Sequence, residues 1–116
     1  MRNLILHNPR CSKSRQALEL IQARGIDVDI VEYLQQPPTA AELAEICDLL
    51  DISPLQLMRT QEALFGELGL SRDNGYSDAQ WLAVLAEHPR LIERPVLVYN
   101  GKAAIGRPPE NVLDIL

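Results

Sequence analysis

Leu4-Ile5-Leu6-His7-Asn8-Pro9-Arg10-Cys11-Ser12-Lys13-Ser14-Arg15 is the stretch whose reading decides the fold. Leu4 to Leu6 is a short apolar run suited to a buried strand. Asn8-Pro9 ends it, because proline lacks an amide donor and steers the preceding residue away from helix. A helix is predicted over 12–24: Ala17, Leu18 and Ile21 share one face, polar residues fill the other, and Gly25 offers a stop. Residues 28–34 alternate weakly and stop at Pro37-Pro38, which reads as a second strand. Strand, helix and strand so close together form a βαβ unit with parallel strands and a right-handed crossover.

Working outward, the middle of the chain reads as several short helices. Thr39-x-x-Glu42 is a capping box, in which the Thr side chain and the Glu each serve an orphan backbone amide. Leu43, Ile46, Cys47 and Leu50 follow at helical spacing. Ser53-Pro54-Leu55-Gln56 repeats the start signal with proline at the first helical position. Ser77-x-x-Gln80 repeats it again, with Tyr76 and Trp81 placed to form a hydrophobic staple. Beyond Arg94-Pro95, Asn100-Gly101 between two apolar runs signals a hairpin. Gly106 then breaks the second run, and a final helix is predicted over 109–116. The order gives an α/β fold with a mixed sheet, one domain over 1–116 carrying a helical insertion at about 39–90.

Charge is unevenly spread along the 116 residues. The formal net charge is −5, yet residues 1–18 carry Arg2, Arg10, Lys13 and Arg15 and no acid. The acidic total argues against a nucleic-acid partner and leaves room for a small anion at the basic end. No apolar run approaches a membrane span. Two cysteines, Cys11 and Cys47, make neither a disulfide framework nor a metal site, and predict a reducing, cytoplasmic compartment.

Cys11 falls between the first strand and the first turn of the first helix, a preferred ligand position in open α/β sheets. Helix N-terminal amides and the nearby Arg10, Lys13 and Arg15 favour a thiolate there, and a protonated His7 would add to them. A buried structural thiol is the alternative, and it fits a polar, basic stretch poorly. Cys47, on an apolar helical stripe, reads as core. Cys11-Ser12-Lys13-Ser14 lacks the second thiol of a dithiol oxidoreductase, so a resolving thiol must come from outside. Arg59, Arg94 and Arg107 sit at loop-like positions, and guanidinium forks match tetrahedral oxyanions. Proline directly follows Arg94 and Arg107 and restricts where each can point.

The segment from His7 to Arg15 resembles the active-site segment of the glutaredoxin-dependent ArsC arsenate reductases. Tyr33-Leu34 with Pro37-Pro38, Leu57-Met58-Arg59, His88-Pro89, Glu93-Arg94-Pro95-Val96 and Ile105-Gly106-Arg107-Pro108 are similar to that family's later motifs, in the same order. The resemblance implies a thioredoxin-like fold and a cis peptide at Arg94-Pro95. It implies Cys11 as nucleophile, His7 and Ser14 as residues favouring its thiolate, and Arg59, Arg94 and Arg107 as oxyanion ligands. Asn8 and Arg15 fall where they would support the loop locally. The implied cycle is arsenate reduction through a Cys11–arsenate adduct, with glutathione as co-substrate, glutaredoxin as partner, and no bound cofactor or metal. A glutathione-dependent thiol reductase or transferase is the second reading. A third is an RNA polymerase-binding regulator of the related Spx type, against which the absence of a second thiol at Ser14 argues.

Overall fold

The computed structural model describes all 116 residues, which form two compact units: Met1–Gln36 with Arg94–Leu116, and Pro37–Glu93. The first holds a four-stranded sheet in the order β2-β1-β3-β4. β1 (Leu4–His7) runs parallel to β2 (Asp29–Glu32), with Leu4 opposite Asp29 and Leu6 opposite Val31. β3 (Val96–Tyr99) runs antiparallel to β1, and β4 (Lys102–Ile105) antiparallel to β3. This is the thioredoxin-like order, with a parallel βαβ half joined to an antiparallel hairpin half. Asn100 and Gly101 both have positive φ, as the tight hairpin turn requires.

α1 (Ser12–Ala23) lays Ala17 and Ile21 against Ile5 of β1 and Leu97 of β3, and Val112 completes this core. The helix ends where the Gly25 signal placed it. Gly25 is left-handed at φ 68°, its N–H donates to Gln22 O, and the Ile26 N–H donates to Ile21 O. Two terminal elements differ from expectation. β2 stops at Glu32 instead of reaching 34, because the Glu32 carbonyl accepts from both Gln35 and Gln36 and turns the chain toward Pro37. The last element, Pro109–Ile115, is a 3₁₀ helix, opened by an Asn111 N–H to Pro108 O bond. Two successive prolines withhold amides from its first turn, and Asn111 Nδ2 ties back to Arg107 O at 3.0 Å.

In the second unit, α2 (Ala40–Leu50) carries the complete Thr39/Glu42 capping box and buries Leu43, Ile46 and Cys47. α4 (Asp78–Glu87) carries the Ser77/Gln80 box, and the Tyr76 and Trp81 rings meet at 5.0 Å as the staple predicts. The Ser53 signal yields only a 3₁₀ turn, Pro54–Leu57. Its continuation is drawn into extended pairing: Met58 bridges Ile92, Arg59 N–H donates to Leu91 O, and Glu93 N–H donates to Leu57 O. Those bonds compete with the next helical turn and win. A short α3 (Ala63–Glu67) and a 3₁₀ turn at Pro89–Leu91 carried no clear sequence signal. No helix is long and apolar enough to cross a membrane.

Candidate active site

β1 delivers the chain to the site and the loop 8–11 holds Cys11 there. The Cys11 N–H donates to Asn8 O at 3.0 Å, closing a tight turn. Asn8 Oδ1 accepts from the Arg10 N–H, and Arg15 Nη1 reaches back to Pro9 O at 2.9 Å. Cys11 is the N-cap of α1, with extended backbone and no capping bond from its side chain. That leaves the half-buried Sγ beside the free amides of the first turn. Burial pushes the thiol up, but the Ser14 amide, the Arg94 guanidinium, the Lys13 amide and Arg107 together outweigh it and hold the pKa below the ordinary value.

Ser14 is fully buried, and its Oγ does two things: it accepts from the Asn8 N–H at 3.0 Å and sits 2.6 Å from His7 Nδ1. His7 would add positive charge only if protonated, and its surroundings work against that. Desolvation lowers its pKa, Glu32 opposes that, and Arg15 reinforces it, with a net fall below 6.5. Its surroundings thus favour the neutral imidazole, and the side-chain charges that act on Cys11 are those of Arg94 and Arg107.

Arg107 Nη2 makes a long hydrogen bond to Cys11 Sγ at 3.9 Å, while its Nε donates to Arg94 O at 2.8 Å. Arg94 Nε and Nη1 are buried with no acceptor. Leaving buried charged donors unpaired costs several kcal/mol on the order of a broken ion pair, so they mark a place where an anion is wanted. Both Arg94-Pro95 and Arg107-Pro108 are cis; the first was anticipated and the second was not. Gly106, between the two arginines, admits no side chain, because a Cβ would meet Pro95 Cγ at 2.7 Å.

The first unit thus brings His7, Asn8, Cys11, Ser14, Arg15, Arg94 and Arg107 into one compact body. Arg59 belongs to the second unit and is partnered there. Its Nη2 lies 3.1 Å from Glu62, its Nε 3.9 Å from Glu93, and Nη1 donates to Arg90 O at 3.4 Å. Sequence reasoning missed these carboxylates, although Glu62 at three residues' separation was available as a signal. No cluster of three His, Cys, Asp or Glu side chains is placed to hold a metal ion.

Comparison with known proteins agrees with this architecture. The ArsC family model matches residues 6–115. An arsenate reductase of Neisseria meningitidis is 48% identical over 113 residues, covering 97% of this chain and 96% of that protein. An arsenate reductase of Haemophilus influenzae is 45% identical over 115 residues, covering 97% of each chain. Among solved structures, an arsenate reductase from Vibrio cholerae superposes with a TM-score of 0.92 at 45% identity, covering 100% of this chain and 98% of that one. A family match over nearly the whole chain, two relatives of nearly equal length and a shared fold lead to one statement: the chain belongs to the ArsC family.

Proposed function

We propose that the protein is an arsenate reductase, an oxidoreductase that uses Cys11 as nucleophile and outside thiols as reductant. In the first step the Cys11 thiolate forms an S–As bond, and one arsenate oxygen leaves as water. Glutathione then attacks the Cys11 sulfur. An S–S bond forms, the electron pair of the S–As bond stays on arsenic, and As(V) leaves as arsenite at As(III). A glutaredoxin thiolate takes the glutathione from the mixed disulfide and regenerates the Cys11 thiolate in the cytoplasm.

The observation that carries this reading is the pair of unpartnered buried donors on Arg94, in the same unit as a thiol whose pKa Arg94 itself lowers. An oxyanion supplies the missing acceptors, and Arg107 adds a second guanidinium beside the sulfur. Arg59, in the second unit and balanced there by Glu62 and Glu93, carries a guanidinium to which the family resemblance gives an oxyanion role. Ser14 and His7 act on the thiolate by fixing the loop, through the Ser14 Oγ contacts with His7 Nδ1 and the Asn8 N–H. The dependence on outside thiols follows from Ser14 standing where a dithiol enzyme has its second cysteine, and from Cys47 being buried. A thiol reductase without an oxyanion substrate leaves the Arg94 donors unexplained.

Thiolate formation is not the larger contribution. A lower thiol pKa raises the thiolate fraction but lowers intrinsic nucleophilicity, so the two partly offset. One fixed donor to a developing charge is worth roughly 100-fold or more. The test is NADPH consumption with arsenate, glutathione, glutaredoxin and glutathione reductase. Arsenate-dependent turnover is expected in the wild type and absent in Cys11→Ser; no wild-type rate overturns the reading.

A further inference from the structure

Arg107 is a long, exposed side chain on a loop, yet its Nη2 stands 3.9 Å from Cys11 Sγ. A free arginine side chain spreads over many rotamers, so holding the guanidinium there needs a fixed backbone beneath it. We propose that Asn111 is a positioning residue for the reaction, whose side-chain amide fixes the Arg107 backbone and so keeps that guanidinium beside the nucleophile. Asn111 acts through Arg107, and the proposal rests on the oxyanion role given to Arg107 above.

Three features argue for this role. First, the β3–β4 register continued past Val96 and Ile105 sets Pro95 against Gly106 and Arg94 against Arg107. The Gly106 N–H donates to Pro95 O and Arg107 Nε donates to Arg94 O, both at 2.8 Å, so the two arginines leave the sheet side by side. Second, the Arg107 peptide is held on both sides. Its N–H donates to Ile105 O at 2.9 Å, and its carbonyl accepts from Asn111 Nδ2 at 3.0 Å. The next two residues are prolines without an N–H, and Asn111 supplies from its side chain a donor that they cannot. A carbonyl only accepts, so this bond also fixes which end of the Asn111 amide faces Arg107. Third, Asn111 is itself anchored. It is half-buried in the 3₁₀ helix Pro109–Ile115, which packs Val112 into the core with Ala17 and Ile21 of α1. Cys11 is the N-cap of that same α1. The sulfur and the guanidinium are thus referred to one core, and Asn111 closes the link.

The test uses the reduced full-length protein and two alkylating agents, anionic iodoacetate and neutral iodoacetamide. With each, the Cys11 thiolate forms an S–C bond and iodide leaves, and rates are read by acid quench and intact mass. The ratio of the iodoacetate rate to the iodoacetamide rate reports positive charge beside Sγ, and any change in the thiolate fraction cancels in it. An exposed charge contact is worth a few-fold. Arg107→Ala is expected to lower the ratio about fourfold and Asn111→Leu, which keeps the shape but removes the donor, about twofold. Asn111→Ala, which removes the same donor with less bulk, gives the same pattern. The decisive arm is a double-mutant cycle: in the Arg107→Ala background the Asn111 substitutions leave the ratio unchanged, because there is no guanidinium left to place. An unchanged ratio in both single Asn111 variants, or in Arg107→Ala itself, overturns the proposal. So does an equal fall in both backgrounds, which marks a general effect on the helix. No arsenate enters this experiment, so failure of arsenate turnover in the wild type is read separately.

Discussion

Cys11 and Cys47 are the same side chain placed in regions that treat it in opposite ways. Cys11 caps a helix in a unit with eight Lys and Arg against six Asp and Glu; Cys47 lies inside a helix in a unit with three against ten. At Cys11, burial is outweighed by first-turn amides and two guanidinium groups, and the pKa falls. At Cys47, burial comes first, Asp48 and Asp78 add to it, and the pKa is pushed up to about 11. A thiol is thus made reactive by what surrounds it on a few ångströms' scale, and the net charge of −5 says nothing about either site.

The largest break in this comparison comes from deleting each sulfur in turn. Cys11→Ser reduces arsenate turnover to background. Cys47→Ala keeps turnover within about threefold and lowers stability by about 1–2 kcal/mol, read by urea unfolding, since it leaves only a small cavity. Loss of turnover in both variants would undo the assignment of chemistry to Cys11 alone.

Next comes the division between oxyanion binding and thiol activation. Arg94→Ala is expected to lower arsenate turnover at least about 100-fold while iodoacetamide alkylation of Cys11 stays within tenfold. Equal loss of both would show that Arg94 acts only through the thiolate.

The third expectation concerns pH. Above the ordinary thiol pKa the unfolded chain releases the Cys47 proton while the folded chain keeps it up to about pH 11, so stability falls as pH rises through that window. The loss is on the order of 3 kcal/mol and disappears in Cys47→Ala. Cys11 has the opposite sign. Its lowered pKa contributes stability above the unfolded value, and that contribution is lost as pH falls through the folded one.

The smallest effect separates local support from chemistry. Ser14→Ala leaves the Asn8 N–H and His7 Nδ1 without their shared oxygen, at a cost of about 1–3 kcal/mol in thermal unfolding. Alkylation of Cys11 slows a few-fold in this variant. An unchanged melting temperature with slowed alkylation would assign Ser14 directly to the thiolate instead of to the loop.

Much of this was legible in the residues. Capping boxes at Thr39 and Ser77, the Tyr76–Trp81 staple, the Asn100-Gly101 turn and the Gly25 stop are local devices, so the local sequence suffices to read them. The Ser53 box failed as a helix predictor because nonlocal bonds from Arg59 and Glu93 took over the backbone. Similarly, Arg59, Arg94 and Arg107 looked alike in sequence. Arg59 pairs with Glu62, three residues on, and with Glu93, which no local pattern links to it, whereas two donors of Arg94 have no partner.

What the sequence determined by itself was the βαβ start, the hairpin, the family and the cysteine at a helix N-terminus, because spacing, turn chemistry and capping act over a few residues. Tertiary structure alone decided that the His7 pKa is lowered by burial, that Arg107 reaches Cys11 from 96 positions away, and that Arg94 is left with donors to offer. Desolvation and pairing depend on which groups packing brings together or excludes, and that is set by the folded chain.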